Sequence, residues 1–137
     1  MATRFDLGVL WIGVNDVFVK TSWISPIKKR LRRQPWAKNK EEFRQFYHSL
    51  LEFLRDNFSS IFTLPPLFIG EESHNKWNRE LEVLSTIIQD LSLVDPLTEF
   101  IDIRQPFLSR LGSKGEKGLF FTIDGVHLSK EGAALVA

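Results

Sequence analysis

Asp124 and His127 lie in the stretch "TIDGVHLSKEG" from Thr122 to Gly132, a carboxylate three residues ahead of an imidazole with a glycine between them. That spacing lets the carboxylate accept from one ring nitrogen, which selects a tautomer and leaves the other nitrogen as a general base. The same residues also suit an Asx turn running into a helix, with the imidazole at the surface. A second polar block, "GVND" at Gly13 to Asp16, follows an apolar run near the start of the chain. Asn15 there can aim its amide at a developing oxyanion, a contribution of roughly 3 kcal/mol in acyl transfer. It can equally serve as a plain turn or cap residue. The chain has no cysteine, which excludes a Cys nucleophile, disulfides and Cys-ligated zinc. His48 and His74 have no partner at metal-ligand spacing, so no metal site is expected. No glycine-rich loop follows a strand to cradle a phosphate, and no cofactor is expected.

The elements that must position these groups can be read from periodicity. Phe5 to Gly13, "FDLGVLWIG", reads as a strand buried on both faces, the signature of a parallel sheet, with a turn at Val14 to Asp16. Residues 17–39 lose periodicity and read as a long loop holding Pro26, Pro35 and the basic run Lys28 to Arg33. Lys40 to Phe58 is the clearest helix, with Phe43, Phe46, Tyr47, Leu50, Leu51, Leu54 and Phe58 stepping by threes and fours as one core stripe. Asn39 and Glu42 have capping-box spacing at its start. Ser60 to Leu64 reads as a short strand stopped by Pro65-Pro66. A second helix carries the stripe Trp77, Leu81, Leu84, Ile88 and Leu91, followed by a third strand at Phe100 to Ile103. Pro106 to Leu111 reads as helical or irregular, "GSKGEKG" as a surface loop, and Ser129 as the cap of a short last helix. Strands alternating with amphipathic helices predict an α/β sandwich with a parallel sheet.

At 137 residues the chain is the size of one domain with a real core. Its net charge of +1 steers neither toward nor away from nucleic acid, and none is expected as a partner. The basic run, flanked by Trp23 and Trp36, suits contact with anionic lipid or nucleic acid, or else a solvated, mobile loop; from its place after the Asn15 block it could also form a lid beside a substrate pocket. The longest apolar run, Leu7 to Val14, is too short to span a bilayer, and no signal peptide is read, so a cytoplasmic location is expected.

Taken together and in order, "GVND" after an apolar strand and "DGVHLSKEG" before a terminal helix resemble the SGNH, or GDSL-type, esterase and lipase family. "TLPP" at Thr63 to Pro66 and "FIDIRQPF" at Phe100 to Phe107 look like the family's intervening segments. The resemblance implies a flavodoxin-like, three-layer α/β/α sandwich with a parallel sheet. It implies ester hydrolysis in which Asn15 donates in the oxyanion hole, His127 is the base and Asp124 orients it. The substrate would be a small ester or an acylated carbohydrate; the resemblance names no substrate-binding residue. The family's serine belongs to a G-D-S block on an earlier strand, and no such block occurs here. Residues 1–137 therefore resemble the C-terminal part of the domain without its first strands, with 17–39 as a basic loop insertion. Such a chain is expected to be inactive alone. It is also expected to expose the strand at residues 5–13 as an apolar edge prone to self-association. The alternative is a catalytically incompetent α/β binding module with a relic site.

Overall fold

In the computed structural model, residues 4–18, 37–71, 75–111 and 120–137 are described. β1 (Phe5–Trp11) pairs in parallel with β2 (Phe58–Leu64), which pairs in parallel with β3 (Thr98–Phe100), giving the sheet order β1-β2-β3. Side chains alternate across a strand, so the two faces of β2 feed two cores. Ile61 joins Tyr47, Leu51, Leu81 and Ile88 under the long helices α2 (Lys40–Asn57) and α3 (Lys76–Leu93). Phe62 and Leu64 join Phe107, Phe121 and Leu135 beneath α4 (Arg104–Leu111) and α5 (Lys130–Val136). The predicted α/β fold with a parallel sheet and helices on both faces is what the chain adopts.

Several boundaries differ from the sequence reading, each for a local reason. Val14 to Asp16 is not a turn but the start of a short helix, α1 (Val14–Phe18). Gly13, at φ +119°, makes the turn instead, and the helix carries through Phe18. Residues 17 and 18 are thus helical rather than loop, and residues 19–36, with the whole basic run, lie outside the described residues. α2 runs directly into β2, which starts at Phe58 rather than Ser60. The Asn39 side chain accepts from Glu41 N and Glu42 N, while Glu42 reaches back to Lys38 N rather than to Asn39 N. β3 ends at Phe100, and Asp102 Oδ1 accepts from Arg104 N to start α4 two residues before Pro106. Pro106 then sits in the first turn, where no intrahelical donor is lost.

Two expectations about burial are corrected. β1 is not buried on both faces: Phe5 is 66% and Val9 59% exposed, with Leu7 and Trp11 also open. The second core draws on β2 but on no β1 residue, so that face of the edge strand has no cover among the described residues. On α2, Phe46 and Leu50 are exposed rather than core, as is Phe53. Arg44 and Arg55 face the α3 side, bonding Asp90 and Asp95, and at 100° per residue Phe46, Leu50 and Phe53 lie on the opposite flank. Bare strand face and bare helix flank are the unpacked parts of one α/β unit.

The α3–β3 turn is locked to α2 by Asp95, which is 4% exposed. Its carboxylate accepts from Arg55 Nε at 2.6 Å, Thr98 Oγ1 at 2.8 Å and Leu97 N at 3.1 Å. Burial pushes this carboxyl up, but the Thr98, Leu97 and Arg55 donors outweigh it and hold it below its ordinary 3.8. Asp95→Ala leaves those donors unpaired and should lower unfolding free energy by about 2 kcal/mol in denaturant titration. Because the folded carboxyl titrates below the unfolded one, its stabilisation is complete above 3.8 and lost as pH falls below it. The stability gap between wild type and variant should therefore narrow on acidification.

Candidate active site

After Leu64 the two prolines end β2, and the chain runs along the carboxyl edge of the sheet as residues 67–71. This segment is held from one side by the start of α3. Asn78, 1% exposed, accepts from Ile69 N at 2.8 Å and donates to Ile69 O at 3.2 Å. Asn75 donates to the same carbonyl at 2.9 Å while its Oδ1 caps α3 through Asn78 N at 2.8 Å. On the other side the segment holds the loop of residues 120–129. Gly70 N donates to Gly125 O at 2.6 Å, and a Cβ on Gly125 would sit 3.4 Å from Gly70 Cα. Both glycines have positive φ, +70° and +88°, which lets the two backbones approach. Glu71 accepts from Phe120 N and Thr122 N, each at 2.7 Å, and from Thr122 Oγ1 at 2.9 Å.

The loop is also stitched to itself and to α5. Ile123 N donates to His127 O at 2.8 Å, and Ser129 N to Phe121 O at 2.9 Å. Ser129 Oγ donates to Phe120 O at 2.8 Å and accepts from Gly132 N at 3.1 Å, the helix cap expected from sequence. Gly132 is there because α5 lies against Phe121; a Cβ at this position would come within 2.0 Å of Phe121 O.

Within this frame Asp124 and His127 meet. Asp124 Oδ2 lies 2.7 Å from His127 Nδ1, while Oδ1 accepts from His127 N at 2.8 Å and Val126 N at 3.0 Å. The Asx turn and the carboxylate–imidazole pair, which the sequence offered as alternatives, are one structure. Three donors, the His127 amide first, then its ring and the Val126 amide, hold the Asp124 carboxyl down to about 2. At neutral pH it is therefore a full acceptor for Nδ1–H, which leaves Nε2 as the basic nitrogen. The His127 side chain is 79% exposed, so Nε2 is open to whatever occupies this edge.

Asn15 is the second residue of α1, exposed, immediately beyond the carboxyl end of β1. The ends of β1 and β2 are tied by Trp11 Nε1 donating to Pro65 O at 3.1 Å and by Gly13 lying against Pro66. Asn15 thus follows the carboxyl end of β1, and the Asp124–His127 loop is tied to the segment that follows the carboxyl end of the adjacent β2, at the edge where α/β sheets gather ligands. Asp16 has a structural part: its Oδ1 accepts from Ala37 N at 2.6 Å and fixes the chain's return into α2. Sequence reasoning missed Glu71 and Asn78. Neither stands in a motif, and their partners are remote or backbone atoms. Of the serines nearest Asn15, Ser22 and Ser25 fall outside the described residues.

No family model matches the chain, and no curated protein matches it. Solved structures do. A variant of the acetyl-xylooligosaccharide esterase Axe2 from Geobacillus stearothermophilus superimposes with a TM-score of 0.75 at 19% identity, over 96% of this chain and 56% of that one. LAE5, an alpha/beta hydrolase enzyme from the metagenome of Lake Arreo, Spain, gives 0.76 at 17% identity with the same coverage. The chain therefore spans a little over half the length of these neighbours and shares their hydrolase-like α/β fold. Catalytic mutants of Axe2 replace an aspartate, a histidine three positions after it, and a serine much farther upstream.

The Asp124 carboxyl should titrate near 2 in a carbon-detected NMR pH series; a midpoint near 4 would mean the turn and pair do not form. Its contribution to loop order is complete above 3.8 and lost as pH falls through about 2. Gly132→Ala should lower stability by about 2 kcal/mol, measured by thermal melting, because α5 must move off Phe121.

Proposed function

We propose that this chain is the base-bearing part of an ester hydrolase of the SGNH, or GDSL, type, acting on small carboxylic esters or acylated carbohydrates. The observation that carries the reading is the 2.7 Å contact between Asp124 and His127 Nδ1 on a loop at the carboxyl edge of a parallel sheet. Esterases among the structural neighbours, and the shared spacing of aspartate and histidine, support it.

In this mechanism a serine oxygen attacks the acyl carbon while His127 Nε2 takes its proton. Asp124, ionised throughout, keeps the ring in the Nδ1–H tautomer and stabilises the imidazolium that forms. The Asn15 amide donates to the oxyanion of the tetrahedral intermediate. His127 then returns the proton to the leaving alcohol, and water, activated by the same nitrogen, hydrolyses the acyl-serine. The 137 residues contain no G-D-S block, and in this mechanism the serine is one that they do not supply. A second reading rests on that same missing block: a catalytically incompetent α/β binding module that keeps the pair as a relic. Until its apolar flank is covered, the chain self-associates through the open edge and face of β1.

Restored to a longer protein with its serine, the domain should hydrolyse a short-chain p-nitrophenyl ester. His127→Ala should then cut turnover by between about 10² and 10⁴. Undiminished turnover in that variant would remove His127 from the chemistry. For the chain alone, sedimentation velocity should show concentration-dependent association that Val9→Lys relieves; a monodisperse monomer would contradict the exposed-edge reading.

A further inference from the structure

The Asp124–His127 contact spans only three residues, and its turn is closed by the loop's own amides. A unit this short is held only as well as its ends, and something else must both keep those ends together and fix where the imidazole stands over the sheet. Glu71 meets that need. It sits one residue past Gly70 on the strap held by Asn75 and Asn78, half-buried, and its carboxylate gathers three donors from the root of the loop. Phe120 N reaches both carboxylate oxygens, at 2.7 Å each, and Thr122 gives its amide and hydroxyl to Oε1. Thr122 also forms the isolated antiparallel bridge with Leu128 that brings the two ends of the loop together, so the clamp acts on the closure that flanks Asp124 and His127 directly.

Resting on the reading of Asp124 and His127 as a catalytic pair, we infer that Glu71 is a positioning residue for it, fixing the imidazole over the carboxyl edge by clamping Phe120 and Thr122. An anionic acceptor suits the task. Three converging donors on a half-buried carboxylate make charge-assisted bonds, about twice as strong as neutral ones. The other ties of the loop, Gly70 to Gly125 and Ser129 to Phe120 and Phe121, connect it to the body but leave the Thr122 amide and hydroxyl to Glu71.

The test uses the intact chain and NMR readouts that a general loss of stability does not move. In Glu71→Ala the loop root loses its acceptor. The Asp124 carboxyl midpoint should climb from about 2 toward 3.8, and the downfield His127 Nδ1 proton signal should disappear. Glu71→Gln keeps one acceptor oxygen for Thr122 and should restore both signals to near wild type. If Glu71→Ala does not give a folded spectrum, Thr122→Val removes a single donor and should raise the Asp124 midpoint by a smaller amount. A folded Glu71→Ala or Thr122→Val chain with the midpoint still at about 2 and the Nδ1 proton intact would overturn the assignment, because the pair would then be self-sufficient. Ester turnover is read separately, in the longer protein that supplies the serine. Its absence with the titration still coupled to Glu71 would sink the hydrolase reading and leave the clamp standing. Turnover with an unmoved titration would do the reverse.

Discussion

The backbone of Ile69 is held on both its polar atoms by one buried amide, Asn78, and the geometry of the candidate site follows from that grip. A polar side chain this deep in a helix–sheet interface is tolerated because every group it brings is paired. Its partner here is the one stretch of chain that leaves the central strand at the carboxyl edge. With Ile69 fixed, Gly70 and Glu71 are fixed, and these two residues hold the loop that carries Asp124 and His127. The site is therefore braced from the hydrophobic core outward: α3 holds the strap, the strap holds the loop, and the loop aligns carboxylate and imidazole. The weakest step is the last, since both side chains of the pair are more than half exposed. Ordering at that end comes from hydrogen bonds rather than burial.

The same sheet that is well supported at β2 and β3 is open on one face at β1 among the described residues. Alternation along β1 places Phe5, Leu7, Val9 and Trp11 on one face, and all are open, while Gly8 on the other face packs against the Phe58 ring. The exposed flank of α2, with Phe46, Leu50 and Phe53, lies in the layer on the other face of the sheet. The neighbouring esterase and alpha/beta hydrolase structures, of which this chain spans 56%, have a fold of the same kind with more chain. An edge strand with unpaired amides and an apolar face is a template for further pairing.

How much of this was legible in the sequence depended on the range of each interaction. Asp124 and His127 are three residues apart, so their pairing could be read directly, and Gly13 marked the end of β1 and the position of Asn15. The helix stripes also read well, because Leu81, Leu84, Ile88 and Leu91 repeat with the helical period. Glu71 did not, because its partners lie about fifty residues away and no local pattern announces a carboxylate that serves remote amides. Asn78 was hidden because it serves the backbone of Ile69, nine residues away, which leaves no local pattern. The burial of β1 and of Phe46 and Leu50 was misread for a different reason: apolar residues record a need for cover, and periodicity is the same whether the cover is present or not.

The absence of cysteine makes the central spatial claim open to a clean measurement. A single Asn15→Cys substitution can carry a nitroxide, and the amides of Asp124 and His127 then report its distance through paramagnetic broadening. A label at Arg4→Cys, at the other end of β1 and roughly 25 Å away along the strand, serves as the control. If the amide at position 15 and the imidazole share the carboxyl edge, the first label broadens the Asp124 and His127 signals strongly and the second leaves them sharp. Equal broadening from both positions, or broadening from Arg4→Cys alone, would place the two groups on different sides of the molecule and end the hydrolase account.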